Sequence, residues 1–166
     1  MCTLLAVKAR GASRIIVTDI VDSHLDKALE LGATDVVNSR TDDVVSRIKE
    51  LTDGKGVDIV FETAGIAATA VQTGYIVKRG GTIVMVGNIF GDVPFNFRNI
   101  YVKEAQIRGV FRYHSTYPTA IEAVASGRID IKRIVTGVYS FADAERAFSD
   151  ALDNKEQCLK NVIHID

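Results

Sequence analysis

Apolar residues along the chain come in short unbroken runs, set between longer stretches where apolar and polar positions mix at helical spacing. Ile15-Ile16-Val17, Ile59-Val60-Phe61 and Ile83-Val84-Met85-Val86 are such runs. Their length and β-branched content predict strands, and their continuity predicts strands covered on both faces. Glycine marks the joins. Lys8-Ala9-Arg10-Gly11, Leu29-Glu30-Leu31-Gly32 and Val77-Lys78-Arg79-Gly80-Gly81 each stand just ahead of a predicted strand. A glycine in that place supplies the left-handed cap of a helix. Lys8, Arg10, Lys78 and Arg79 would then lie in final turns, where cations suit the helix dipole. The pattern predicts helices over about 1–10, 23–31, 41–52, 67–79, 117–126 and 141–153. It predicts strands over about 14–18, 35–37, 57–62, 81–86, 106–111, 134–139 and 161–165. Ser23 with Asp26 resembles a capping box, and Gly87 to Arg98 reads mostly as loop. Strands alternating with helices of this length predict an α/β fold with a doubly wound parallel sheet. The rhythm changes near Phe111, so a boundary is expected at 112–116. Residues 1–113 form one expected domain; the tail, 114–166, is too short to stand alone and reads as a remnant of a second.

The order of the first elements is informative. A helix, Gly11, and then a strand ending in Asp19 match the second part of a Rossmann-type dinucleotide-binding unit. A complete unit places a strand and a G-x-G-x-x-G turn immediately before that helix. Neither occurs in these 166 residues, so the expected sheet lacks its first strand and glycine-rich loop. In the order 3-2-1-4-5-6 the first strand is central, which would leave strands 14–18 and 57–62 each with an unpaired edge. The gap is expected to be closed by 134–139 or 161–165, from this chain or a partner, or by direct pairing of 14–18 with 57–62. An edge of this kind also predicts self-association into a homo-oligomer.

Composition narrows the classes. The net charge is −1 with no basic stripe, which argues against a nucleic-acid partner. No apolar run reaches membrane-spanning length, and Lys8 and Arg10 follow the first apolar residues where a signal peptide would have them precede. The two cysteines, Cys2 and Cys158, have neither C-x-x-C spacing nor a disulfide framework. A cytoplasmic setting is expected.

Candidate chemistry centres on strand ends. Asp19 suits hydrogen bonds to the adenosine ribose hydroxyls, or it serves the turn that follows it. As a ribose ligand it would oppose a 2′-phosphate by roughly 4 kcal/mol at 4 Å and an effective dielectric near 20, and no Arg or Lys follows within 20–23. NAD is therefore expected over NADP. Glu62-Thr63-Ala64-Gly65 and Val86-Gly87-Asn88 end two further strands, where a cofactor can approach small residues; an ordinary tight turn explains them equally. Arg112 in Phe111-Arg112-Tyr113 could bind pyrophosphate or substrate hydroxyls, or be a solvated strand end. His24, His114 and His164 are scattered without metal-ligand spacing. No Tyr-x-x-x-Lys pair and no G-x-S-x-G elbow occurs. No catalytic residue and no metal ligand is assigned.

Taken in order, Val17-Thr18-Asp19, Leu29-Glu30-Leu31-Gly32-Ala33-Thr34, Gly56-Val57-Asp58, Glu62-Thr63-Ala64-Gly65, Gly80-Gly81-Thr82 through Gly87, and Ile107-Arg108-Gly109-Val110-Phe111-Arg112-Tyr113 carry a resemblance over essentially the whole chain. The chain resembles the C-terminal half of medium-chain, zinc-dependent alcohol dehydrogenases, and within them the sorbitol and xylitol (polyol) dehydrogenase branch. The resemblance implies that Asp19 binds the adenosine ribose and that His24 lies near the adenine. It implies that Thr63, Ala64 and Gly65 line the pyrophosphate and ribose side, and that Val86, Gly87 and Asn88 approach the nicotinamide. Phe111 and Arg112 would bridge cofactor and substrate, with Arg112 and Tyr113 facing a small polyol. Zinc in that family polarises the alcohol oxygen, but its ligands fall upstream of the segment this chain resembles. The expectation is the NAD-binding portion of an oxidoreductase that oxidises a secondary hydroxyl to a ketone, inactive alone. The alternatives are a non-catalytic nucleotide-binding or assembly module, or a truncated piece of a longer protein.

Overall fold

A computed structural model describes residues 1–165, and the chain falls into two compact units. One comprises residues 1–41 together with the chain from Thr116 onward; the other comprises Asp42–Ser115.

The first unit opens with α1 (Cys2–Ala9), β1 (Ile16–Asp19), α2 (Asp22–Leu31) and β2 (Asp35–Asn38). Strands β1 and β2 run parallel, with Ile16 opposite Asp35 and Asp19 opposite Asn38. Both predicted glycine caps are present. Gly11 has φ +84° and donates to the Lys8 carbonyl, while Ala12 donates to Val7, the pair of bonds that ends a helix on a left-handed residue. Gly32 has φ +112°, and the Ala33 N–H returns to Ala28. Lys8 acts on the neighbouring helix: its Nζ donates to the Leu31 carbonyl at the end of α2. The capping box at Ser23 does not form. The residue before α2 is Val21, and the Ser23 hydroxyl donates to the Glu156 carbonyl instead. Leu4, Leu5, Ala28, Leu31, Ala33 and Ile134 make the buried core of this unit.

The rest of the first unit is α6 (Tyr117–Ala125), a 3₁₀ turn at Ile131–Ile134, β6 (Gly137–Ser140), α7 (Ala144–Asp153) and β7 (Asn161–His164). The predicted strand 134–139 therefore begins later, because Asp130 caps the 3₁₀ turn by accepting from the Lys132 N–H. Strands β6 and β7 pair parallel with each other across α7.

The second unit runs through α3 (Val44–Leu51), β3 (Val57–Glu62), α4 (Ala67–Ile76), β4 (Val77–Met85), α5 (Phe97–Tyr101) and β5 (Gln106–Gly109). Its sheet is parallel, in the order β3-β4-β5. Asp43 caps α3 by accepting from the Val45 N–H at 3.0 Å and the Ser46 hydroxyl at 2.8 Å. Val44 and Ile48, one turn apart, bury the inner face of α3.

Three expectations about elements are corrected here. Helix 67–79 ends at Ile76, and Val77–Arg79 already belong to β4, so Gly80 does not cap a helix. A register shift between Val57 and Ile59 absorbs residues 78–81 as a bulge, with Gly80 at φ +71°. Lys78 consequently pairs with Asp58, and Arg79 donates to the Val102 carbonyl; neither lies in a helical turn. Helix α5 falls in and beyond the region read as loop; Phe97, Ile100 and Tyr101 stand at its i, i+3, i+4 spacing. Finally, β3 is not covered on both faces, since Ile59 is 52% exposed.

Among the described residues, the first unit holds the sheets β1-β2 and β6-β7 and the second holds β3-β4-β5. The tail strands pair with each other, a short parallel crossover through α7 being the nearest source of partners, so closure of the β1 edge by this chain's own tail is overturned.

Candidate functional site

Asp19, in the first unit, ends β1. Its Oδ1 accepts from the backbone N–H groups of Ile20 at 2.7 Å and Val21 at 3.1 Å, so the turn-serving role is realised on one oxygen. Its Oδ2 lies 3.5 Å from His24 Nδ1. His24 sits in the first turn of α2, and its Nε2 is 3.1 Å from the Lys155 carbonyl oxygen. A cavity of about 240 Å³ opens beside this pair, lined by Met1, Cys2, Asp19, His24, Ile134, Leu159 and Lys160. Sequence reasoning missed Lys160. It lies 141 positions from Asp19 in the chain, and no local pattern could have joined them.

The second unit gathers Thr63, Ala64, Gly65, Val86, Gly87 and Asn88. They follow the carboxyl ends of neighbouring strands β3 and β4, the edge where ligands of doubly wound sheets bind. The Glu62 carbonyl accepts from both Val86 and Gly87 N–H groups, at 2.8 and 2.9 Å. Gly65 has φ +72°, and a Cβ there would stand 3.0 Å from the Asn88 nitrogen. A Cβ at Gly87 would stand 2.3 Å from the Gly65 nitrogen. The two turns are thus pressed together at a contact only glycine permits, which is the tight-turn reading of these residues.

Glu62, quoted in the sequence motif but not assigned, is buried beneath this cradle at 3% exposure. Its Oε1 accepts from Ala64 N–H, Gly65 N–H and the Thr69 hydroxyl.

Phe111, Arg112 and Tyr113 lie beyond the end of β5, which stops at Gly109 rather than 111. Arg112 holds a left-handed backbone, φ +55°, and its guanidinium stands 5.0 Å from the centre of the Phe111 ring. His114 and His164 are exposed. Among the described residues no cluster of three or more His, Cys, Asp or Glu could hold a metal ion. No described helix is long and apolar enough to cross a membrane.

Residues 1–126 match the family described as zinc-binding dehydrogenase. An uncharacterized zinc-type alcohol dehydrogenase-like protein of Escherichia coli is 44% identical over 165 residues, which is 99% of this chain and 47% of that protein. Sorbitol dehydrogenase of Bacillus subtilis is 39% identical over the same shares. Sorbitol dehydrogenase of Mus musculus is 38% identical over 100% of this chain and 46% of that protein. The crystal structure of an Escherichia coli oxidoreductase of unknown specificity superposes with a TM-score of 0.92 at 44% identity, covering 99% of this chain and 47% of that one. The chain spans about half the length of the relatives it matches.

Proposed function

Since this chain belongs to the medium-chain zinc-binding dehydrogenase family and matches its C-terminal, NAD-binding part, we propose that it is the cofactor-binding portion of an NAD-dependent polyol dehydrogenase. The parent reaction oxidises a secondary hydroxyl of a sorbitol- or xylitol-like substrate to a ketone. The observation that carries this reading is Asp19: a carboxylate at the end of β1, with Oδ2 toward His24, on the wall of a cavity that also holds Lys160. That cavity combines an acceptor for ribose hydroxyls with a cation for phosphate.

In this reading Asp19 and His24 hold the adenosine end, with NAD preferred over NADP. Thr63, Ala64 and Gly65 line the pyrophosphate and ribose side, and Val86, Gly87 and Asn88 form the adjoining cradle for the nicotinamide. A side chain at Gly65 or Gly87 would strike the facing turn, so both glycines are needed for the two turns to meet at this edge. Phe111 and Arg112 meet the cofactor, and Arg112 and Tyr113 face the polyol. Residues 1–113 act as the dinucleotide-binding domain and 114–166 as a portion of the catalytic domain. Zinc, which supplies Lewis-acid polarisation of the alcohol in the family, is assigned to no residue here. The protein works in the cytoplasm as a homo-oligomer, for which the exposed edge strand β5 offers one pairing edge.

Isothermal calorimetry with NAD and NADP tests the reading. The expected result is weak but saturable NAD binding, in the range of about 10⁻⁴ to 10⁻³ M, with NADP weaker still. No turnover of sorbitol or xylitol by the chain alone is expected. NADP bound as tightly as NAD would overturn it. The non-catalytic alternative, a nucleotide-binding module that assembles with another chain, predicts the same binding and is separated by whether the chain forms a stable complex with a second, different polypeptide.

A further inference from the structure

The carboxylate of Glu62 is used unevenly. All three of its donors, Ala64 N–H at 3.0 Å, Gly65 N–H at 2.9 Å and Thr69 hydroxyl at 2.6 Å, converge on Oε1. Oε2 is sealed from solvent and has no hydrogen-bond partner. No ion pair to Glu62 is found among the described residues. The unpartnered oxygen abuts the cradle, since a Cβ at Gly87 would stand 2.4 Å from it.

Two consequences follow from the charge. N–H groups at a strand-to-helix turn are the ordinary seat for a phosphate. Here Ala64 and Gly65 have given theirs to an internal carboxylate, so these two amides are not free to bind a phosphate, and of the pyrophosphate and ribose side read for Thr63, Ala64 and Gly65 the ribose part is the one retained. A buried carboxylate without a countercharge also keeps its field over several ångströms, because little water intervenes to screen it. The group that suits a site beside this carboxylate is positively charged. Within the reading of this chain as a nicotinamide-cofactor binder, on which the present step rests, the dinucleotide has one such group: the pyridinium ring of its oxidised form, which becomes neutral on reduction. We infer that Glu62 sets the redox-form preference of the Gly65–Gly87–Asn88 cradle, favouring the cationic ring over the neutral one and excluding phosphate. It acts through the field and the two turns it holds; it is a positioning residue and not a catalytic one.

The test uses the full chain, isotope-labelled, with amide resonances of Ala64, Gly65 and Gly87 followed by NMR. The probes are N1-methylnicotinamide, a cation, nicotinamide, its neutral counterpart, and inorganic phosphate. The expected result is binding of the cationic probe on the order of tenfold tighter than the neutral one, and no shift at these amides with phosphate. Glu62→Gln keeps an oxygen for the three donors and removes the charge; it should bring the two probes to nearly equal affinity. Equal affinities in the parent chain, no shift at these amides with either ring, or a preference unchanged in Glu62→Gln would overturn the inference. If Glu62→Gln does not fold, the comparison of the two rings in the parent decides alone. NAD titrated in parallel separates the layers. Shifts at Asp19 and Ile20 without a cation preference at Gly65 and Gly87 remove only the role of Glu62. No shift at either set removes the cofactor-binding reading itself.

Discussion

The Asp19 carboxylate spans the turn between β1 and α2 to reach His24, with Oδ2 3.5 Å from Nδ1, while Oδ1 is committed to the Ile20 and Val21 N–H groups. One residue thus shapes the turn with one oxygen and turns the other toward His24. Replacing it with serine keeps a turn acceptor but removes the charge that opposes a 2′-phosphate. Asp19→Ser should narrow the preference for NAD over NADP by at least about tenfold, roughly 1.4 kcal/mol. Paired calorimetric titrations of both cofactors check this, and an unchanged ratio would remove Asp19 from cofactor recognition.

Gly87 offers a test of the cradle that needs no ligand. A Cβ there would lie 2.3 Å from the Gly65 nitrogen and 2.4 Å from Glu62 Oε2, and backbone cannot step aside cheaply. Gly87→Ala should cost about 2–3 kcal/mol of stability. Gly109→Ala, where nothing lies within 4 Å, is the control and should change stability by less than about 0.5 kcal/mol. Urea denaturation of the three proteins measures both.

Lys103 is the lock on the far side of α4. Its Nζ donates to the carbonyls of Gly74, Tyr75 and Val77, at 2.9, 3.0 and 2.8 Å, where the helix runs directly into β4. Partial burial holds its ammonium below the usual lysine range, and the three carbonyls offset that cost. Lys103→Met preserves the stem and orphans the carbonyls, and should destabilise the chain by about 2–3 kcal/mol. A thermal midpoint within a degree of the parent would show that water replaces the ammonium.

Three exposed carboxyls respond to acid in the same sense. The Ser46 hydroxyl holds Asp43 below the usual aspartate range, the Lys78 ammonium does so for Asp58, and the Lys27 ammonium lowers Glu30. Each folded value lies below its unfolded one, so the stabilisation is full above the unfolded values, near pH 4–5, and is lost as pH falls through the lowered folded values. The urea midpoint should fall between pH 5 and pH 3. Asp43→Asn still caps α3 but no longer titrates, and its midpoint should fall less steeply over that interval.

Zinc should not be retained. The described residues hold no cluster of metal-ligating side chains, and isolated histidines or thiols bind the ion weakly. Elemental analysis of untagged protein after dialysis should find far less than one zinc per chain; a stoichiometric content would expose a site that geometry does not show.

What the sequence determined by itself is what neighbouring residues decide. Continuous apolar runs marked β1 and β3, Gly11 and Gly32 marked helix ends through the left-handed backbone they alone adopt easily, and Asp19 was placed at a strand end by its position in the run. The parallel α/β order follows from that alternation. Tertiary structure decided the rest. Val77 became strand by pairing with Val57 on β3, and the bulge at 78–81 took Lys78 and Arg79 out of the helical pattern before Gly80. Strands β6 and β7 took each other as partners, an outcome of chain connectivity that edge-counting does not anticipate. Lys160 came to Asp19, and Gly87 to Glu62, through packing across long sequence separations. Local periodicity encodes which face of an element is apolar. Which distant side chain meets a carboxylate, and which of its two oxygens is left without a partner, is fixed only when the elements close on one another.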